Sequence, residues 1–401
     1  MPAQEYQAPE GVSRLQQRAC LVGGIALLLS IFGAVRAPEL FFPSYLMSFL
    51  LILGLTVGSL GLLMLQHLTG GQWGIIIRRP LESATRALPL MGIAFLPIAI
   101  FGMKYLYSGH GDEKGWLNAP SAGEGALSDF QKRYLTQTGF HTRWVIYFAI
   151  WLALMFIFNI LSKQQDTNRE DRALRRRLKM LAGPGIILYV FVMTFASIDW
   201  VMSLSPHWAS TIYGFLFVAG QLISSMALMI AVVVLLARTE PFASVLQKRH
   251  LHDLGKFLLA FVMLWAYFDF SQLLIIWSGN QPEEITFYRT RLYGGWGVVA
   301  VIVLVFHFFV PFFLLLSQDV KRNAKVLPRI AIWLIFMRLV DLFWMTRPEF
   351  TSRAMPTWLD IVVPIALGGL WLGFFAFNLK QCPLLPLGDP DLAEAIEHHE
   401  H

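Results

Sequence analysis

SYLMSFLLILGLTVGSLGLLML, residues Ser44–Leu65, runs for 22 positions without one charged side chain. A helix of about 20 mostly apolar residues crosses the hydrocarbon core of a bilayer, so this stretch alone is a complete span. Comparable stretches are Ala19–Val35, Ala87–Met103, Trp144–Leu161, Gly185–Met202, Ser210–Ala237, Phe257–Trp277, Gly294–Leu316, Ile330–Met345 and Ile361–Leu379. They predict an all-α polytopic membrane protein of about ten transmembrane helices. Composition agrees: only 14% of the 401 residues are charged, against about 25% in a soluble domain.

Arg14 and Arg18 precede the first run, and no small-residue cleavage site follows it, so it reads as an anchor and not a removed leader. The segments divide as a cytoplasmic N-terminal piece (1–18), a transmembrane domain (19–379) and a cytoplasmic tail (380–401). Cys20 and Cys382 stand far apart, with no CxxC or CxxCH, so the chain offers no c-type haem or iron–sulfur ligation of its own.

Orientation follows from the 32 Lys and Arg residues. With the N-terminus inside, 21 fall on the cytoplasmic side, notably Arg78, Arg79 and Arg86, the run from Lys163 to Lys179, and Lys321 to Arg329. The other side holds 9, among them Lys104, Arg289, Arg291 and Arg347; Arg143 and Arg338 are within helices. This is the positive-inside pattern, with both termini cytoplasmic. The +6 net charge therefore marks cytoplasmic loops and implies no nucleic acid. Asn168–Lys179 reads as a short basic helix, and 107–140 as a long outer loop. Trp116, Trp200, Trp208, Trp277, Trp296 and Trp358 read as an outer aromatic belt.

Ionisable groups inside spans are expensive and so mark candidate sites. One set lies toward the outer boundary: Lys104, His141, Arg143, Asp199 and His207. An imidazole and a carboxylate there, His141 or His207 with Asp199, could line a quinone or proton-exit site. Boundary snorkelling or helix capping is the plainer reading. A deeper set pairs Asp269 with Gln272 and Arg338 with Asp341, each at i, i+3 and hence on one helix face. His307 and Gln221 sit at similar depth, and Asp319 is placed to continue the set inward. These groups are either a proton relay or a static ion-pair lock, and the two are compatible. His307 and His67 do not form the facing pairs a b-type haem needs. His398, His399 and His401 belong to a polar acidic tail, a poor metal site.

Four stretches resemble a known family: GGQWGIIIRRPLESATRALP (Gly70–Pro89), SIDWVMSLSPHWASTIYG (Ser197–Gly214), WAYFDFSQLLIIWSGNQPEEITFYRTR (Trp265–Arg291) and HFFVPFFLLL (His307–Leu316). The chain resembles the smaller of the two large membrane subunits of bacterial alternative complex III, a quinol:electron-acceptor oxidoreductase. That subunit is a branch of the polysulfide-reductase C/NrfD-like membrane anchors. The resemblance implies two four-helix bundles (about 44–204 and 210–345) and two flanking helices (19–35 and 361–379) in a bacterial cytoplasmic (inner) membrane. It implies no redox centre in this chain, with quinone or quinol as a possible ligand. The implied partners are a pentahaem cytochrome c, an iron–sulfur subunit, a monohaem cytochrome c and the paralogous membrane subunit; haem c and iron–sulfur clusters belong to them. The implied role is scaffolding and proton conduction. A secondary transporter and a purely structural anchor are the competing classes.

Overall fold

The computed structural model describes residues 6–110, 113–120, 126–167, 172–240, 242–389 and 392. Ten long helices dominate these residues: α1 (Glu10–Arg36), α2 (Pro38–Thr69), α3 (Gln72–Leu106), α4 (Gln137–Thr167), α5 (Arg172–Trp200), α6 (Tyr213–Leu236), α7 (Lys248–Gly279), α8 (Trp296–Leu316), α9 (Leu327–Thr346) and α10 (Leu359–Leu379). All but α9 contain a stretch long and apolar enough to cross a membrane. The 20-residue α9 is long enough too, but carries Arg329, Arg338 and Asp341. The chain is an all-α polytopic membrane protein, as its sequence predicts.

Helices α2 to α5 pack as one four-helix group and α6 to α9 as another, joined mainly through α6 against α2 and α5. The pair α1 and α10 flanks the first group through α2. Small residues set these approaches, since van der Waals packing holds helices together where lipid supplies no hydrophobic drive. A Cβ on Gly58 of α2 would lie 2.5 Å from the Gln221 carbonyl oxygen and from Ser225 Oγ of α6. Gly23 of α1 meets Gly369 of α10 as closely, with 2.7 Å between a Cβ built on Gly369 and the Gly23 Cα. Ser225 Oγ donates across the α2–α6 seam to the carbonyls of Gly54 and Leu55, both at 3.1 Å.

Four expectations change. First, α3 begins well before Ala87, so Arg78, Arg79 and Arg86 belong to its opening turns and not to a loop; Arg78 and Arg79 are buried there. Second, the basic run from Arg172 opens α5 itself and is no separate helix, while Asn168–Asp171 lie outside the described residues. Third, Trp116, Trp200, Trp208 and Trp296 are buried between helices, and only Trp277 and Trp358 are exposed as a belt requires. Trp200, for instance, packs against Phe95 at 4.7 Å between ring centres. Fourth, the segment after α7 forms an additional short helix, Pro282–Leu292. His398, His399 and His401 lie outside the described residues.

Candidate functional site

Helix α8 is irregular where it matters. Its residues Leu304–Phe309 form a π-helical turn. Pro311 has no N–H to give the carbonyl of His307, four residues back, and such a missing bond is a standard cause of helix irregularity. His307 sits inside this turn, fully buried, with its ring edge-on to Trp265 of α7 at 4.5 Å. Neither ring nitrogen of His307 has a hydrogen-bond partner.

Across the bundle, Arg338 and Asp341 of α9 form a buried ion pair through Nη1 and Oδ2. The Arg338 guanidinium also lies over the Phe217 ring of α6, 5.5 Å from its centre. Gly220 leaves it room: a Cβ there would come within 2.3 Å of the guanidinium carbon, so a larger residue would have to displace the Arg338 side chain. His307 feels the charge of Arg338, and Asp269 of α7 feels those of both Asp341 and Arg338. Asp269 is half-buried and makes no hydrogen bond or ion pair among the described residues. The structure thus brings Asp269, His307, Arg338 and Asp341 into one neighbourhood. Gln221 belongs to another, accepting from Tyr189 Oη at 2.9 Å.

Two further members of the deep set also stand outside that neighbourhood. Asp319 is exposed on a short helix beyond α8 and does not extend the group inward. Gln272 is buried one turn from Asp269, accepting from Ser210 Oγ at 2.9 Å and donating to Tyr288 Oη at 3.3 Å. These contacts carry the polar trail the other way, toward the end expected to face outward. Tyr288 feels the charges of Asp269 and Arg291; buried Tyr213 feels those of Arg338, Asp341, Arg291 and Glu349. Arg291 Nη2 in turn reaches Glu349 Oε1 at 2.8 Å. Sequence reasoning missed Trp265 and Tyr213 because tryptophan and tyrosine in a span read as packing, and Tyr288 and Glu349 because they lie in short helices between the spans.

At the end of the first bundle expected to face outward, Asp199 is buried and bidentate to Arg143, through Nε at 2.7 Å and Nη2 at 3.0 Å. Tyr147 Oη adds a third donor at 2.7 Å. The Arg143 guanidinium lies 3.9 Å from the centre of the Tyr134 ring. Burial of Tyr134 and the Asp199 charge push its phenol up, so it stays neutral. His141 and His207 do not join this set: His141 Nδ1 accepts from Trp144 Nε1 at 3.3 Å, and His207 is exposed. Lys104 is also exposed, over the Tyr105 ring.

A third cluster at the basic end was read only as loop charge. Glu82 of α3, almost wholly buried, accepts from Arg78 Nε at 3.2 Å, Arg79 Nη1 at 2.6 Å and Ser162 Oγ at 2.5 Å. Arg79 also pairs with Asp166, and Arg78 with Asp389 at 2.7 Å. Here every charge is matched, which is the signature of a fastener. Among the described residues no group of three or more His, Cys, Asp or Glu side chains is placed to hold a metal ion. No protein-family model and no curated protein matches the chain.

Proposed function

We propose that this chain is a membrane subunit of a bacterial quinol:electron-acceptor oxidoreductase of the alternative complex III type, scaffolding redox-bearing partners and conducting protons through its second bundle. Its two four-helix groups and flanking pair are the architecture that the resemblance implies. The observation that carries proton conduction is the imbalance around His307. A static lock leaves no titratable group idle, yet His307 has two unpartnered nitrogens and Asp269 has no direct partner beside a completed Arg338–Asp341 pair.

In this reading Arg338 and Asp341 fix the helices and the local field, while Asp269 and His307 are the groups that change protonation. Protons pass between Asp269 and the outer end by way of Gln272, Tyr288 and trapped water, with Tyr213 and Glu349 beyond. Quinol oxidation is assigned to the partner subunits, since buried Asp199 is already committed to Arg143 and Tyr147 as a structural pair.

Purification from native membranes tests the assignment. Haem c absorbance at stoichiometric levels, with the paralogous and iron–sulfur subunits, is expected. A haem-free protein that moves a solute in vesicles would make it a transporter instead. The plain-anchor reading is favoured by the fully matched Glu82 cluster, and unchanged proton stoichiometry on replacing Asp269 would leave it standing.

A further inference from the structure

A cavity of about 630 Å³ lies between the flanking helix α1 and the first four-helix group, walled by α1, α2, α3 and α10. That volume is typical of a ligand pocket. It shares no residue with the Asp269–His307 neighbourhood and does not depend on the function proposed above.

Its depth follows from its walls. Lining residues run from Leu27 to Val35 on α1 and from Pro97 to Tyr105 on α3, in each case about 12 Å of helix. Val35 and Tyr105 stand in the last turns of their helices, and the lining residue Pro38 opens α2. The cavity therefore starts at the helix ends expected to face outward and runs inward among apolar side chains. Ile31, Val35 and Phe101 line it and are themselves exposed, so it opens sideways to the bilayer. The α3 wall is irregular: Ile98–Gly102 form a π-helical turn just after Pro97, a device frequent at functional sites. Gly102 leaves room for Phe42, whose ring atom Cδ1 would lie 2.9 Å from a Cβ there, and Phe42 stacks on Tyr105 with 5.1 Å between ring centres.

Available polar groups are confined to the outer end. Below it, Tyr45 Oη donates to the Ala94 carbonyl at 2.7 Å and Ser30 Oγ to that of Ala26 at 2.8 Å, so neither has a proton left for a guest. At the outer end Lys104 is the one charged lining residue among the described residues. Its ammonium lies 4.7 Å from the centre of the Tyr105 ring and enters no ion pair among those residues. Tyr105 Oη makes no hydrogen bond among them either. A cation and a phenol at the mouth, above a dry apolar channel, follow the order of chemistry along a phospholipid from phosphate to acyl chain. A small soluble anion would leave the apolar walls without contacts, and a neutral quinone would leave Lys104 without a counter-charge. We propose that this cavity holds one anionic phospholipid, with its phosphate on Lys104 and Tyr105 and an acyl chain between α1 and α3, joining the flanking helix to the first bundle.

The test uses the full-length chain, delipidated in detergent and titrated with phosphatidylglycerol or phosphatidylcholine, read by native mass spectrometry. Inorganic phosphate and a short-tailed menaquinone serve as competitors. One basic side chain near an anionic lipid is worth about fivefold in affinity, so phosphatidylglycerol should bind about fivefold tighter than phosphatidylcholine and K104Q should erase that preference. R289Q removes an exposed cation from the short helix Pro282–Leu292, away from the cavity, and should change binding less than about twofold. Ala34→Phe, on the α1 wall, narrows the channel and should weaken both lipids alike. Lys104 and Arg289 are exposed, so those variants should fold; were Ala34→Phe to misfold, the two charge variants would decide. Equal losses in K104Q and R289Q would mean diffuse attraction, and unchanged binding by folded Ala34→Phe would place the lipid elsewhere; either overturns the site. Equal binding of the two lipids in the wild type, or displacement of phosphatidylglycerol by phosphate or by the quinone at equal concentration, would overturn the lipid assignment.

Discussion

Arg143 of α4 clasps Asp199 of α5 through two nitrogens, with Nε 2.7 Å from Oδ2 and Nη2 3.0 Å from Oδ1. Two single-contact ion pairs lie toward the same end: Arg291 meets Glu349 at 2.8 Å and Arg347 meets Asp360 at 3.1 Å. Asp360 at the start of α10 also accepts from Ser44 of α2 at 2.7 Å, so that pair ties three helices. Each of these arginines is paired with a carboxylate. A charge that would penalise insertion by about 2.5–3.5 kcal/mol if left alone at the centre is thereby contained.

The first prediction concerns that clasp. Arg143→Gln removes the cation and strands the Asp199 carboxylate, leaving only Tyr147 to donate to it. Breaking a buried pair from one side costs about 3–5 kcal/mol. Arg143→Lys keeps the charge and loses the planar fork, so it should fall between wild type and Arg143→Gln. Thermal unfolding of the purified protein in detergent should follow that order. A stable Arg143→Gln protein would show that Asp199 is not held as a structural pair.

A second prediction concerns Glu82, which two buried guanidiniums share. Glu82→Gln preserves shape and removes the charge, leaving Arg78 and Arg79 with Asp389 and Asp166 alone. The expected loss is about 3–5 kcal/mol. Reduced accumulation in the membrane and a lowered unfolding temperature would report it. Wild-type values for both would mean the cluster is not a fastener.

Helix number and the i, i+3 pairing of Arg338 with Asp341 were legible because span length and helical periodicity are local properties. Arg78 and Arg79 were not, because a charge beside an apolar run looks like a loop until Glu82 is seen to lie one turn on and Asp166 to arrive from another helix. His207 and Asp319 illustrate the opposite limit. Both have the right chemistry near the right boundary, but a short connecting segment leaves each exposed. The polar trail through Tyr288 and Tyr213 depends on a helix after α7 that carries four charges and no apolar run, so hydropathy gave no hint of it.

Orientation yields a third prediction. In a variant with Cys20 and Cys382 replaced by serine, Gln164→Cys should react with an impermeant thiol reagent only after the cells are opened. Ser121→Cys, in the 107–140 segment, should react in intact cells. The motive is the division of Lys and Arg, 21 against 9. The reverse pattern would invert the topology, placing residues 162–184 and 317–329 outside and both termini with them.

A fourth prediction uses a close backbone approach between α1 and α10. A Cβ on Gly23 would lie 2.7 Å from the backbone nitrogen of Leu370, where nothing can give way. Gly23→Leu should therefore part the flanking pair while leaving the two four-helix groups intact. Limited proteolysis would show it, with α1 lost and a resistant remainder. An unaltered digestion pattern would show that the pair does not depend on this contact.

The last prediction separates relay from lock in the second bundle. Asp341 is one half of a buried pair, so Asp341→Asn leaves the Arg338 cation without its carboxylate and should cost about 3–5 kcal/mol and impair assembly. Asp269 is half-buried, with no direct partner to lose. Asp269→Asn keeps the side-chain shape and removes the titratable proton, so the protein should assemble normally. If Asp269 relays protons, quinol-driven proton release by that assembled complex should fall while electron transfer in the partner subunits persists when the membrane is uncoupled. His307→Phe offers an independent check: it fills the same space against Trp265 without a titratable nitrogen, and should reproduce the loss. Normal assembly with unchanged proton stoichiometry in both variants would exclude Asp269 and His307 from any proton path, and failed assembly of Asp269→Asn would make Asp269 part of the lock.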